Sequence, residues 1–145
     1  MIGLIQRVSS AKVEVEEQVV GQIERGILLL FGVEKEDTTA KAERLLERVL
    51  GYRIFPDEAG KMNLSLRDIK GGLLIVPQFT LPADTHKGMR PSFTPAAAPE
   101  KGKALFDYFY ELAKQKHSLV NKGIFGADMQ VSLINDGPVT FWLTV

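Results

Sequence analysis

A chain of 145 residues suits one domain with one hydrophobic core, large enough to fold without covalent staples. The absence of cysteine excludes a disulfide framework, a thiolate nucleophile and a thiolate metal site. Lysine plus arginine equals aspartate plus glutamate at 18 each, so whole-chain charge neither points to nucleic acid nor excludes a local basic face.

Met1 to Arg7 lacks the layout of a signal peptide, and no apolar run approaches membrane-spanning length. A cytoplasmic protein that does not touch a membrane is the expectation. The N-terminal third reads as strands: Leu4–Val8, then Lys12–Glu16 with strict alternation, then Val19–Ile23. Gly26–Val33 is apolar throughout, as in a strand covered on both faces. Asp37 or Thr38 caps a helix running to Leu50, with Ala42, Leu45, Leu46, Val49 and Leu50 on its buried face and Gly51 as its stop.

Arg53–Lys61 reads as a short extended piece and a turn, and Leu73–Val76 as another apolar strand, ending at Pro77-Gln78-Phe79-Thr80-Leu81. The stretch from Pro82 to Pro99 lacks periodicity, and irregular loops of that length in a compact domain are functional or disordered. A second helix follows from Pro99 to Lys116, burying Leu105, Phe106, Phe109, Leu112 and Ala113. Met129–Ile134 and Val139–Val145 read as a final strand pair meeting at Asn135-Asp136-Gly137-Pro138. A tight turn between strands normally keeps its N–H groups, and Pro138 gives one up, so a rigid turn with firmly directed carbonyls is expected there. The order of elements predicts a single α/β domain spanning residues 1–145, with two helices packed on a mostly antiparallel or mixed sheet system.

Local chemistry is sparse. Asp84, His86 and Ser92 share the long loop, but a catalytic triad is a matter of geometry, and solvated loop residues are the simpler account. His117 sits at a helix C-terminus, where the helix dipole explains it. Two histidines without cysteine make a transition-metal site unexpected. Lys87-Gly88-Met89-Arg90 is either a solvated loop or a clamp for nucleic-acid phosphates. Gln78-Phe79-Thr80 leaves a buried strand where ligand groups often sit; Thr80 has no evident base, and backbone N–H groups there suit a developing oxyanion.

Six segments, in order and over essentially the whole chain, resemble the D-aminoacyl-tRNA deacylases. They are Ile5-Gln6-Arg7-Val8, Gly60-Lys61-Met62-Asn63-Leu64-Ser65, Gln78-Phe79-Thr80-Leu81, Lys87-Gly88-Met89-Arg90-Pro91-Ser92-Phe93, Phe125-Gly126-Ala127-Asp128-Met129 and Asn135-Asp136-Gly137-Pro138-Val139-Thr140. The resemblance implies an α/β/β layered domain and an editing hydrolase that cleaves D-amino acids, and glycine misattached to alanine tRNA, from the terminal adenosine. It implies a cytoplasmic homodimer with active sites at the interface, needing neither metal nor cofactor and binding the acceptor end of aminoacyl-tRNA. Gln78, Phe79 and Thr80 match its catalytic motif, and Phe125 and Met129 its pocket. Gly137 and Pro138 match a Gly-cisPro element inserted into the partner's pocket to reject L-amino acids, with Arg7 holding its orientation. Lys87 and Arg90 are expected to contact tRNA phosphates. The family usually has serine where this chain has Pro77; a sister family that removes L-alanine from threonine tRNA has proline there, while Phe79 and Arg7 favour the D-specific reading. A sister deacylase of altered chirality and a non-catalytic tRNA-binding dimer module are the alternatives.

Overall fold

The computed structural model describes residues 1–145. One sheet dominates it, in the order β2 (Gln18–Ile23), β1 (Ile2–Val15), β3 (Gly26–Gly32), β6 (Gly72–Pro77), β7 (Val120–Lys122), with β8 (Gln130–Thr144) also paired to β1. A small hairpin, β4 (Phe55–Pro56) with β5 (Met62–Leu64), stands apart from that sheet. The helices are α1 (Thr39–Gly51), the short α2 (Leu66–Ile69) and α3 (Pro99–Lys116). None is long and apolar enough to cross a membrane.

The sheet is mixed, as expected. β1 pairs antiparallel with β2, β3 and β8, whereas β3–β6 and β6–β7 are parallel. The parallel step from β3 to β6 needs a crossover, which contains α1 and α2. β1 is one strand, not the two expected on either side of Ser9-Ser10. β3 and β2 share one of its edges in turn, while β8 follows the other nearly end to end. Ladder bonding therefore carries the strand through Ser9-Ser10 without a break.

The sheet curls until its ends nearly meet. A Cβ on Gly21 in β2 would lie 2.6 Å from the Lys122 carbonyl oxygen in β7, so only glycine permits that approach. Asn121 Nδ2 donates to the Gln22 carbonyl at 2.9 Å across the same gap.

Two cores result. On β3, Ile27, Leu29 and Phe31 face the helices, while Leu28 faces the interior of the curled sheet; on β6, Leu73 and Ile75 take the first side and Leu74 and Val76 the second. This double coverage explains why both strands are apolar without alternation. Phe109 of α3 stacks on Phe31 at 4.6 Å between ring centroids, tying the helix layer to the sheet. Thr38 caps α1 by accepting from the Lys41 N–H. The buried Asp37 instead accepts from the Met1 amino group and the Glu34 N–H, each at 2.7 Å. Gly51 is the last helical residue, and Tyr52 makes the cap. α2 is too short to show a periodicity; its signal is the Ser65–Asp68 capping box.

The expected C-terminal strand pair is corrected by the structure. β8 does not reverse at Gly137-Pro138, because both of its halves pair antiparallel with β1. Proline removes one ladder donor, but β1 supplies partners again from Thr140 onward, so the chain bulges and continues.

Candidate functional site

The C-terminal end of β6 opens onto a cavity of about 490 Å³. Pro77, Gln78 and Phe79 form one wall, Pro99 and Gly102 of α3 another, and the segment from Phe125 to Met129 a third. Each wall has a local cause. Pro77 is the last β6 residue paired to Phe31, and the Gln78 N–H still donates to the Phe31 carbonyl at 2.8 Å before the chain turns away. Gly102 leaves room for Phe125, whose ring a Cβ there would approach at 3.2 Å. Gly126, at φ +80°, lets the Ile124–Ala127 turn close through the Ala127 N–H to Ile124 carbonyl bond.

The structure thus brings Gln78, Phe79, Phe125 and Met129 together around one space. Phe125 also packs against Phe106, and Met129 against the inner core, so wall and core roles coexist in both. Thr80 lies one residue beyond the wall. Its hydroxyl accepts from Gln78 Nε2 at 2.6 Å, and no carboxylate, imidazole or amine touches it. The N–H groups of Phe79 and Thr80 have no partner within the chain, unlike those of Gln78 and Leu81 on either side. Both residues are exposed, so these two donors are open to solvent or to a ligand oxygen.

The second assembly is the bulge. On β1 a single residue, Arg7, separates Gln6 (paired to Thr140) from Val8 (paired to Asn135), whereas β8 spends Asp136 to Val139 over the same interval. Arg7 Nε donates to the Asp136 carbonyl at 2.8 Å and Nη1 to the Ile54 carbonyl at 2.7 Å, so one guanidinium ties the bulge to the segment preceding β4. Asn135 closes the loop from inside: its Oδ1 accepts from the Val139 N–H at 2.7 Å, and its Nδ2 donates to Thr140 Oγ1 at 2.9 Å. The Gly137-Pro138 bond is cis, and both residues are exposed at the tip. Gly137 has φ +148°, and a Cβ there would lie 2.6 Å from Val139 Cγ2, so this position admits only glycine without displacement.

Arg7, Gly137 and Pro138 form this assembly together, but none of them lines the cavity of their own chain. Lys87 and Arg90 are exposed on the long loop and enter no ion pair. Phe93 returns from that loop to stack on Phe79 at 5.4 Å. His86 does not meet Ser92: its backbone N–H binds Asp84 Oδ1, and Ser92 Oγ donates to Thr94. His117 Nε2 lies 2.6 Å from the Gly71 carbonyl oxygen, a link between the end of α3 and the start of β6.

Displaced titrations lie away from the cavity. Hydrogen bonds from Arg67 and Lys116 hold Glu47 below its ordinary value, bonds with Ser65 do the same for Asp68, and Glu43 raises Tyr108. Gly102 is a site-building residue that sequence patterns do not single out, its only local signal being a glycine inside a helix. Asn135 and Phe93 fall within segments that carry the family resemblance, which assigns neither of them a role.

A family model described as D-Tyr-tRNA(Tyr) deacylase matches residues 4–144. A D-aminoacyl-tRNA deacylase of Alkalilimnicola ehrlichii is 65% identical over 143 residues, covering 99% of this chain and 95% of that one. A D-aminoacyl-tRNA deacylase of Thioalkalivibrio sulfidiphilus is 65% identical over 145 residues, covering 100% of this chain and 97% of that one. Among solved structures, the c-Myc DNA unwinding element binding protein superposes with a TM-score of 0.96 at 37% identity, covering 100% of this chain and 99% of that one. A probable eukaryotic D-amino acid tRNA deacylase superposes with a TM-score of 0.84 at 19% identity, covering 98% and 97%, a likeness of fold alone.

Proposed function

The chain belongs to the D-aminoacyl-tRNA deacylase family and is a hydrolase of D-aminoacyl-tRNA, and from that premise we propose how its two assemblies divide the work. The cavity takes the aminoacyl end of the tRNA, and the bulge tip of a partner subunit supplies chiral rejection. The observation that carries this reading is the separation itself. Within one chain the Gly137-Pro138 tip faces solvent and does not line the cavity, so a tip that acts on an aminoacyl group must reach another chain's cavity. A two-fold dimer gives each cavity one tip. Exposed Ile134, Phe141 and Trp142, which flank the tip on β8, support burial against a second copy.

With the ammonium and ester positions fixed, L and D side chains leave the α-carbon in different directions. Carbonyls of Gly137 and Pro138 occupy the space an L side chain needs, so selectivity comes from excluding the wrong isomer more than from gripping the right one. Glycine has no side chain to exclude and is removed from alanine tRNA by the same site.

Chemistry at the ester needs less assistance than amide hydrolysis. The unpaired N–H groups of Phe79 and Thr80 receive the carbonyl oxygen and stabilise its developing charge. Thr80 has only the Gln78 amide beside it and lacks a base to make it a nucleophile. The ribose 2′-hydroxyl of the terminal adenosine therefore assists the attacking water, placing part of the catalytic machinery on the substrate. Lys87 and Arg90 contact acceptor-end phosphates. Such a protein works in the cytoplasm, where aminoacyl-tRNA is found.

Comparing D-tyrosyl-tRNA ending in adenosine with the same substrate ending in 2′-deoxyadenosine tests the chemistry. The deoxy substrate is expected to bind normally and react at least 100-fold more slowly; normal turnover would sink the 2′-hydroxyl role. Pro77 motivates a second reading, altered chirality of the L-alanyl kind. Parallel assays of D-tyrosyl-, glycyl- and L-alanyl-tRNA decide between the two. The D-specific reading expects the first two to be cleaved and the third spared.

A further inference from the structure

We propose that Asn135 is a positioning residue for chiral rejection, setting the direction of the Gly137-Pro138 carbonyls; this rests on the reading of the tip as the element that excludes L-amino acids. The ladder between β8 and β1 is interrupted from Asp136 to Val139, between Asn135, paired to Val8, and Thr140, paired to Gln6. Arg7 fixes the entering side of that interval through the Asp136 carbonyl at 2.8 Å. On the leaving side Asn135 takes both polar groups of the Val139 backbone. Its Oδ1 accepts from the Val139 N–H at 2.7 Å, and its Nδ2 donates to the Val139 carbonyl at 3.4 Å. Nδ2 also donates to Thr140 Oγ1 at 2.9 Å. The Val139 N–H can meet only an oxygen, so the amide is held in one orientation. One side chain thus does for Val139 what a neighbouring strand does elsewhere in the sheet.

The consequence concerns carbonyl direction. Only Gly137 and Pro138 lie between the two clamped residues, Asp136 and Val139. The ring restrains Pro138, but Gly137 has no side chain to restrain its own dihedrals, so its neighbours must do so. With Asp136 held by Arg7 and Val139 by Asn135, both ends of the step are pinned and its carbonyls do not swing aside. Rejection by exclusion needs that stiffness, because a tip that yields admits the side chain it should keep out. Aspartate is no substitute at position 135. It keeps the acceptor for the Val139 N–H, loses the donor, and sets a negative charge against the Val139 carbonyl and the Thr140 hydroxyl oxygen.

The test measures kcat/KM on D- and L-tyrosyl-tRNA for wild type, N135A, N135D, T140V and T140S, each checked for a native melting transition, with R7A as the reference for a loosened tip. N135A and N135D are expected to lower the D-to-L ratio about 10-fold or more, and T140V about 3-fold or more. T140S, which keeps the hydroxyl, is expected to retain the ratio that T140V loses. Loss of folded protein lowers both substrates together and leaves the ratio unchanged, so the ratio separates positioning from stability. A wild-type ratio in both Asn135 variants would overturn the assignment, and so would a T140S ratio as low as that of T140V. If R7A loses discrimination while both Asn135 variants keep it, only the role of Asn135 falls. If R7A and both Asn135 variants keep full discrimination, the tip is not the source of chiral rejection and both readings fall together.

Discussion

Arg7 holds the bulge through two carbonyls that no other side chain reaches, those of Asp136 and Ile54. A planar guanidinium spans both at once; an ammonium on a single stem does not. Arg7→Ala and Arg7→Lys are therefore expected to reduce discrimination between D- and L-tyrosyl-tRNA by about 10-fold or more, each charged hydrogen bond being worth about 1.5–3 kcal/mol. Full selectivity in Arg7→Lys would show that the fork is unimportant. Gly137→Ala places a Cβ against Val139 in a backbone region disfavoured for side chains, and is expected to shift the tip at a cost of about 1–3 kcal/mol in thermal or denaturant unfolding. Thr80 presents the opposite case. Its hydroxyl meets only an amide, so Thr80→Ala is expected to retain most activity, whereas complete loss in a folded variant would make it the nucleophile.

At the scale of elements, β8 shows what can and cannot be read from sequence. A proline where a ladder donor is needed is visible there, and so is the stiffness of the segment around it. The continuation is not, because the residues that keep β8 a single strand are on β1, far away in sequence. The same nonlocal pairing hides the continuity of β1 across Ser9-Ser10. α1 and α3 are readable because their apolar spacing and their boundary residues are local: Thr38 caps one, and Pro99 begins the other. Gln78 and Phe79 are legible as the end of a buried strand and Phe125 and Met129 only through resemblance, and only folding shows that β6, α3 and the Phe125–Met129 turn converge. Phe109 ties α3, and so the Gly102 wall, to the sheet through Phe31. Phe109→Ala is expected to cost about 3–5 kcal/mol in denaturant unfolding. A loss below about 1 kcal/mol would contradict that coupling.

At the scale of the whole molecule, a net charge of zero leaves tRNA attraction to local groups. Reversing charge at both Lys87 and Arg90 is expected to weaken tRNA binding and to flatten the slope of log affinity against log salt by roughly 1–2. An unchanged slope would remove them from the interface. On the proposed reading, chiral rejection requires more than one chain, since the cavity and the tip of a single chain are separate. A mixing experiment tests this most directly. Ala127 lines the cavity, so A127W is expected to fill it and keep an intact tip, whereas R7A is expected to keep its cavity and lose control of its tip. Alone, A127W is expected to be inactive and R7A to cleave L- as well as D-tyrosyl-tRNA. With A127W in excess, subunit exchange places intact tips over R7A cavities, and L-tyrosyl-tRNA cleavage is expected to fall while D-tyrosyl-tRNA cleavage continues. If exchange is verified by mass and L-tyrosyl-tRNA cleavage by R7A stays unchanged, the tip does not act across subunits and chiral rejection has another source.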